Sequence, residues 1–228
     1  MPRIVAWSEA DGPVDAVASR LRAGCAGEVV DVREDGPLLG ALVSAGATVG
    51  RRSFQMELAP LPPSIDAGPF AASGGTVGPM RLEPERYAGP VLRAFPPEHP
   101  DYDPSIPDLP AAVLTVASYL AGDVIGPFVA PASSEAVGAD GRVLGGLVVN
   151  RMPEHDESPG GPWITDVFVE PDAQGQGIGR ALFARAVAEL RAAGEPSLRL
   201  AVQVDNPARH LYRSLGFRTL ATWSRTTL

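Results

Sequence analysis

The sequence predicts a mixed α/β fold: a mostly antiparallel sheet flanked by helices, with a smaller N-terminal α/β half-domain ahead of it. Three observations predict this. From residue 80 onward, apolar runs of strand length and helical stretches follow one another as β-α-α-β-β-β-α-β-α-β. Gly and Pro punctuate the changes of period. The stretch 59–79, APLPPSIDAGPFAASGGTVGP, has no period at all, so residues 59–77 read as a linker between a 1–58 extension and a 78–228 domain.

Taken in order, MRLEP (80–84) reads as a short strand. Helical patterns follow at 85–95, with Gly89–Pro90 as a break, and at 111–121, closed by Gly122. Between them the Pro-rich loop 96–110 carries Glu98, Asp101, Asp103 and Asp108. Strands are expected at 124–130, 142–150 and 163–170, the last two joined by the polar turn RMPEHDESPGGP. The helix 177–192 places Ile178, Leu182, Ala186 and Leu190 on one stripe, flanked by Phe183 and Val187, and Gly194 stops it. SLRLAVQV (197–204) is strand-like, Pro207–Leu215 is a short helix ended by Gly216, and FRTLATWSRTTL closes as a strand.

The chain also echoes itself. Sliding it by 170 positions lays residues 14–58 on 184–228, and 11 of the 45 positions are identical, among them Gly24/Gly194, Asp35/Asp205, Pro37/Pro207, Ser44/Ser214 and Gly46/Gly216. Either this is a partial repeat or an unrelated α/β extension whose Ala-rich composition inflates the match. A true copy has no glycine loop and carries Leu42 opposite Tyr212, so it is structural, completing a sheet or pairing two copies into a homodimer.

Composition narrows the function. At 228 residues there is room for one full domain and a smaller attachment, and 45% hydrophobic with 20% charged residues is a globular balance. A lone Cys25 excludes an intrachain disulfide and suits a reducing compartment. MPRIVAWSEADG is not a signal peptide, and no window approaches the ~18 apolar residues of a membrane span, so a cytoplasmic protein without a membrane partner is expected. A net charge of −8 repels nucleic acid and attracts cationic small molecules. All 19 basic residues are arginine, which removes lysine Schiff-base chemistry and any GK[ST] phosphate loop.

The most informative stretch is VEPDAQGQGIGRAL (169–182), where Gly175, Gly177 and Gly179 clear side chains from a turn that opens a helix. A strand, a glycine-cleared turn and a helix N-terminus make an anion site: the first amides are unpaired, the dipole adds positive charge, and phosphate oxygens can reach the backbone. The alternative is that the glycines serve the turn itself. GxGxG this late in the chain does not match the dinucleotide fingerprint.

Gln174-Gly175-Gln176-Gly177-Ile178-Gly179, followed by Arg180, resembles the [RQ]-x-x-G-x-[GA] loop of the GNAT superfamily of N-acetyltransferases. DNPARHLYRSLGF (205–217) resembles its second signature, and the likeness spans roughly 78–228. The resemblance implies an acyl-CoA-dependent N-acyltransferase that uses acetyl-CoA and no metal. On that resemblance the acetyl group passes by direct attack of a primary amine of a small molecule, and the acid-rich loop 96–110 either suits a cationic amine or is merely solvated. The amides of Gly175, Gln176, Gly177, Ile178, Gly179 and Arg180 are then expected to cradle the pyrophosphate. The backbone of Val167, Phe168 and Val169 is expected to pair with pantetheine and, through a bulge there, to polarise the thioester. The resemblance likewise implies that Asn206 holds the pantetheine chain and that Tyr212 protonates the departing sulfur.

The match has departures. Five residues separate Asn206 from Tyr212 where the family commonly has six, so Asp205 is an alternative for the asparagine place. Ala201 stands where some members carry a glutamate base, leaving Asp166 in TDVFV as the candidate base, or as a plain strand-end acid. His99, His155 and His210 read as surface or structural residues, and Tyr212 itself has a packing alternative. A CoA-binding module without turnover, or a purely structural domain, fits the same residues.

Overall fold

A computed structural model describes residues 3–5, 8–154 and 159–228, so His155 lies outside the described residues. In chain order the elements are β1 (Arg3–Val5), α1 (Val14–Gly24), β2 (Val29–Arg33), α2 (Pro37–Ser44), β3 (Thr48–Leu58), β4 (Thr76–Pro79), α3 (Pro84–Ala94) and α4 (Leu109–Ala121). They continue with β5 (Ser134–Val137), β6 (Val143–Met152), β7 (Gly161–Val169), α5 (Ile178–Ala192), β8 (Leu198–Gln203), α6 (Ala208–Ser214) and β9 (Arg218–Thr227). The expected mixed α/β order is therefore present, with mostly antiparallel strands and flanking helices.

One compact unit comprises Met1–Met56, Ala201–Asp205 and Thr219–Leu228. Its strands run β1-β2-β9-β3 and then the end of β8. β1 is parallel to β2, and β2 is antiparallel to β9 from Val29↔Thr227 to Arg33↔Trp223. Val30, Val32, Leu38, Leu42 and Leu228 form its core with α1 and α2. At the 170-residue offset α1-β2-α2-β3 falls on α5-β8-α6-β9, and the helix stops agree in detail. Gly46 and Gly216 are both left-handed (φ 93° and 98°), Gly46 N–H donates to the Val43 carbonyl as Gly216 N–H does to Arg213, and Ala47 N–H donates to Leu42 as Phe217 N–H does to Tyr212.

The second unit, Glu57–Leu200 with Asn206–Arg218, orders its strands β4-β5-β6-β7 and then the start of β8. Neighbours from β4 to β7 are antiparallel, and β7 is parallel to β8. One face packs on α3 and α4 through Met80, Tyr87, Val91, Val116, Val148 and Phe168. Ile178, Leu182, Phe183, Ala186, Val187 and Leu190, the apolar stripe expected on α5, are all buried.

Three expected elements shift. The strand placed at 80–84 is at Thr76–Pro79, because Pro84 already opens α3 and Met80 turns into the core. The strand expected at 124–130 amounts to one bridge, Phe128↔Asn150; the real strand is Ser134–Val137. Gly126 (φ 135°) approaches the Arg151 carbonyl so closely that a Cβ would stand 2.3 Å from it, a backbone path no regular strand takes. The Gly89–Pro90 break is absent: α3 runs through Pro90, which is buried with Tyr87, Ala88, Val91 and Ala94, and packing outweighs the lost hydrogen bond. β5 escaped notice because it holds Glu135, whose buried carboxylate accepts from Arg86 Nε (2.7 Å) and from the Tyr87 hydroxyl (3.0 Å).

Residues 59–79, read from the sequence as aperiodic, hold a 3-10 turn at Gly68–Ser73 as well as β4. Leu61 and Phe70 are buried, and a Cβ on Gly75 would stand 2.3 Å from the Phe70 ring, so glycine lets the chain close over that ring. Phe70→Ala is therefore expected to cost about 3–5 kcal/mol in urea unfolding, the usual range for emptying a phenyl from a packed site. A loss below about 1 kcal/mol would mean that this stretch is only loosely applied.

Candidate active site

β7 carries a bulge. Val148 pairs with Asp166 but Val149 pairs with Ile164, so Thr165 is an extra residue. The bulge was expected among Val167–Val169 and lies two positions earlier. A buried side chain pins it: Asn150 Oδ1 accepts from Thr165 Oγ1 (2.6 Å), while Asn150 Nδ2 donates to the carbonyls of Tyr119 (2.9 Å) and Gly126 (2.8 Å). One amide thus joins the bulge to the end of α4.

Beyond the bulge β7 parts from β8. Among the described residues the two pair only at Trp163↔Arg199 and Ile164↔Leu200, so residues 166–169 keep β6 on one edge and have no β8 partner on the other. Phe168 sends its ring into the core against Tyr87 (6.4 Å between centroids), which leaves only its backbone for any ligand.

The chain then makes a short 3-10 turn, Pro171–Ala173, and enters the glycine loop. Gly175 (φ 77°) and Gly177 (φ 84°) are left-handed, a conformation that costs other residues about 1 kcal/mol or more. Gly177 is also close-packed: a Cβ there would stand 2.9 Å from Pro69 Cδ. Gly179 has a packing reason as well, since a Cβ would stand 3.0 Å from Leu211 Cδ2. So the glycines do serve the turn. Yet the amides of Gly175, Gln176, Gly177, Ile178, Gly179 and Arg180 donate to no carbonyl among the described residues; the first helical bond is Ala181 N–H to Gly177. Six adjacent donors stand open at a helix start. The Arg180 guanidinium donates to Ser214 Oγ (2.8 Å), tying this helix to α6.

Tyr212 lies on α6, almost wholly buried between Phe183 and Phe217 (ring centroids 5.6 and 5.9 Å). Among the described residues nothing hydrogen-bonds its hydroxyl. Burial, then the charges of Asp101 and Asp166, push its pKa well above the ordinary phenol value, so it stays protonated at any physiological pH. Asp166 keeps some accessible surface, but it stands deep enough among protein atoms that burial lifts its pKa to about 7; the Val167 amide opposes this and the Asp101 charge adds to it. The Tyr119 phenol is raised too, by burial and then by Asp166 and Asp103. Tyr212 therefore feels the charges of Asp101 and Asp166, and Asp166 that of Asp101, as the sequence alone could not reveal.

Asn206 is buried, while Asp205 is exposed. Asn206 Oδ1 accepts from the Ala208 amide (2.7 Å), and its Nδ2 donates to the Asp101 carboxylate. Of the loop acids, Asp103 caps a turn at Ser105 N–H (2.9 Å) and Asp108 caps α4 at Ala111 N–H (3.0 Å), so both have local work. His99 Nδ1 accepts from the Asp101 amide (3.0 Å), which makes it part of the loop's frame; His210 and Ala201 are exposed. The functional-looking residues that sequence reasoning missed are Asn150, Thr165 and Tyr119. Asn150 and Thr165 each showed only as a polar residue inside an apolar strand run, and Tyr119, on α4, gave no such signal.

Comparison with known proteins adds the following. The profile of the acetyltransferase (GNAT) family matches residues 97–217, more than half of the 228-residue chain. A mycothiol acetyltransferase of Saccharomonospora viridis is 40% identical over 91 residues, 38% of this chain and 30% of that protein. One from Pseudarthrobacter chlorophenolicus is 41% identical over 83 residues, 36% of this chain and 26% of that protein. The matched stretches thus span less than a third of those relatives. Among solved structures, a GCN5-related N-acetyltransferase from Sphaerobacter thermophilus superposes with a TM-score of 0.62 at 19% identity, covering 89% of this chain and 60% of that one. A tandem GNAT protein from the clavulanic acid biosynthesis pathway gives 0.59 at 18% identity, covering 88% and 63%. At such identities the structural likeness speaks for the fold alone.

Asp166 has a consequence for stability. The unfolded chain releases this proton near 3.8 and the folded chain near 7, so folding binds a proton between those values. Its contribution is full below about pH 4, is lost as the pH rises through about 7, and is level above. Asp166→Asn has no such proton. Its urea midpoint relative to wild type is expected to be higher at about pH 8 than at about pH 5; an equal or inverted difference would contradict the burial of this carboxyl.

Proposed function

The chain belongs to the acetyltransferase (GNAT) family, and from that premise we propose that it transfers the acetyl group of acetyl-CoA to a primary amine of a small molecule. The observation that carries this is the row of unengaged amides from Gly175 to Arg180 beside a strand edge left open from Thr165 to Val169. Three features fit acetyl-CoA: those amides suit a pyrophosphate, the open edge of Val167, Phe168 and Val169 suits the amide-bearing pantetheine arm, and Asn206 keeps a second Nδ2 hydrogen for it. When bound, acetyl-CoA supplies an activated acetyl group as a thioester.

The residues then divide the proton work. An amine acceptor is an ammonium ion at neutral pH and cannot attack until it gives up a proton. Asp166, with a pKa of about 7, is poised to take it. The new nitrogen–carbon bond forms as the carbon–sulfur bond breaks, and the electron pair leaves on sulfur. A thiol titrates near 8.5, below the phenol of Tyr212, which remains protonated and can donate its hydrogen to that sulfur, while the second proton shed by the attacking nitrogen restores the phenol. Holding both substrates side by side supplies a further part of the rate. The Asp101 and Asp166 charges favour a cationic acceptor. A mycothiol-type acceptor is the first to try, since the curated relatives carry that name. We also infer that residues 14–58 are a partial copy of the catalytic half without its chemistry, because buried Leu42 stands at the place of Tyr212.

Thiol release from acetyl-CoA over a panel of amines tests the reading. Tyr212→Phe is expected to lower kcat by about 10²-fold or more while the affinity for coenzyme A in calorimetry stays within about twofold. For the wild type, kcat/KM should rise with pH through about 7 and level off, and Asp166→Asn should lose that rising limb. Binding without turnover on every amine would point instead to a CoA-binding module.

A further inference from the structure

The loop between α3 and α4 carries hydrogen bonds of its own. His99 N–H donates to the Pro96 carbonyl (2.8 Å), Tyr102 N–H to His99 (2.9 Å) and Ile106 N–H to Asp103 (3.0 Å), while His99 packs edge-on against Phe95 with 5.0 Å between ring centroids. From this frame Asp101 reaches across 105 positions of sequence to Asn206 at the start of α6, the helix that carries Tyr212. Asn206 cannot swing away, since its Oδ1 is held by the Ala208 amide. One Nδ2 hydrogen goes to Asp101 and the other remains. Asp101 is thus the loop residue tied to the asparagine assigned to pantetheine, and its charge is also felt by both proposed proton carriers. A carboxylate so placed opposes the ionisation of Asp166. A tie with a purely structural purpose would be made at less cost by a neutral side chain.

We propose that Asp101 is a positioning residue: through Asn206 it latches the acceptor-side loop to the cofactor side, so that coenzyme A held at Asn206 orders residues 96–108 and the two substrates bind with positive coupling. The inference rests on the acetyl-CoA reading above and adds a direction to it. Binding the donor first stiffens Asn206, and a loop already stiffened through Asp101 loses less freedom when the amine arrives.

Hydrogen exchange followed by mass spectrometry on the full chain, with and without saturating coenzyme A, tests this. In the wild type, peptides from 173–181 and from 96–108 are both expected to slow, the loop by about fivefold or more, the lower end of ordinary site-to-site coupling. In Asp101→Ala the loop should lose that response while 173–181 keeps it. Asp101→Asn, which retains an acceptor oxygen, should preserve both. A wild-type loop that is unchanged or exchanges faster with coenzyme A overturns the proposal, and so does an alanine variant that responds like wild type. If Asp101→Ala does not fold, the wild-type and Asp101→Asn arms decide, since both must show the slowed loop. Failure of 173–181 to slow in the wild type is a different result, and it strikes the acetyl-CoA reading itself.

Discussion

The parting of β7 from β8 is the constraint from which the rest of the site follows. A strand in a sheet ordinarily spends both edges on hydrogen bonds, and unpaired backbone groups cost free energy unless water or a ligand meets them. Here β7 keeps β6 along its length, loses β8 after Ile164↔Leu200, and leads through the turn at Pro171–Ala173 into a loop whose six amides from Gly175 to Arg180 meet no carbonyl among the described residues. Thr165 is the pivot. One extra residue at that point turns the following side chains over, so that Phe168 enters the core while the far edge of the strand is released. Asn150 braces the pivot, and by spending its amide on Tyr119 and Gly126 it fixes the end of α4 to the same spot.

Electrostatics then separates the two proposed proton carriers. Burial acts on both Asp166 and Tyr212, but with different outcomes: it brings a carboxyl up to about 7, where it can exchange a proton, and drives a phenol further from ionisation, so that it stays a protonated hydrogen-bond donor. No lysine exists in the chain to compete as a base or to neutralise these acids. Several arginines elsewhere are committed to carboxylates, as Arg93 is to buried Glu170 (2.6 Å) and Arg86 to Glu135 (2.7 Å). On the proposed reading the charges of Asp101 and Asp166 suit a positively charged acceptor.

Much of this was legible in the residues. Glycines at alternate positions before an amphipathic run revealed the loop, and DNPARHLYRSLGF revealed the helix with Tyr212, because both are local patterns with local physical causes. The helix stops at Gly122, Gly194 and Gly216 were readable for the same reason. What escaped was non-local. The place of the bulge depends on which residue of β6 faces which residue of β7, and no spacing within TDVFV encodes that. Asn150 and Asp101 matter through partners 15 and 105 positions away. Pro90 misled because a propensity was outweighed by the burial of its neighbours, and β5 was overlooked because its acid is paired with arginines that no local pattern identifies.

Backbone amide spectra of labelled protein titrated with coenzyme A test the centre of this picture most directly. Hydrogens at 175–180 are expected to move downfield together as they meet phosphate oxygens, with the amides of 165–169 following as the open edge is filled. Saturating cofactor that leaves those amides where they were would contradict it, whatever happened elsewhere in the chain.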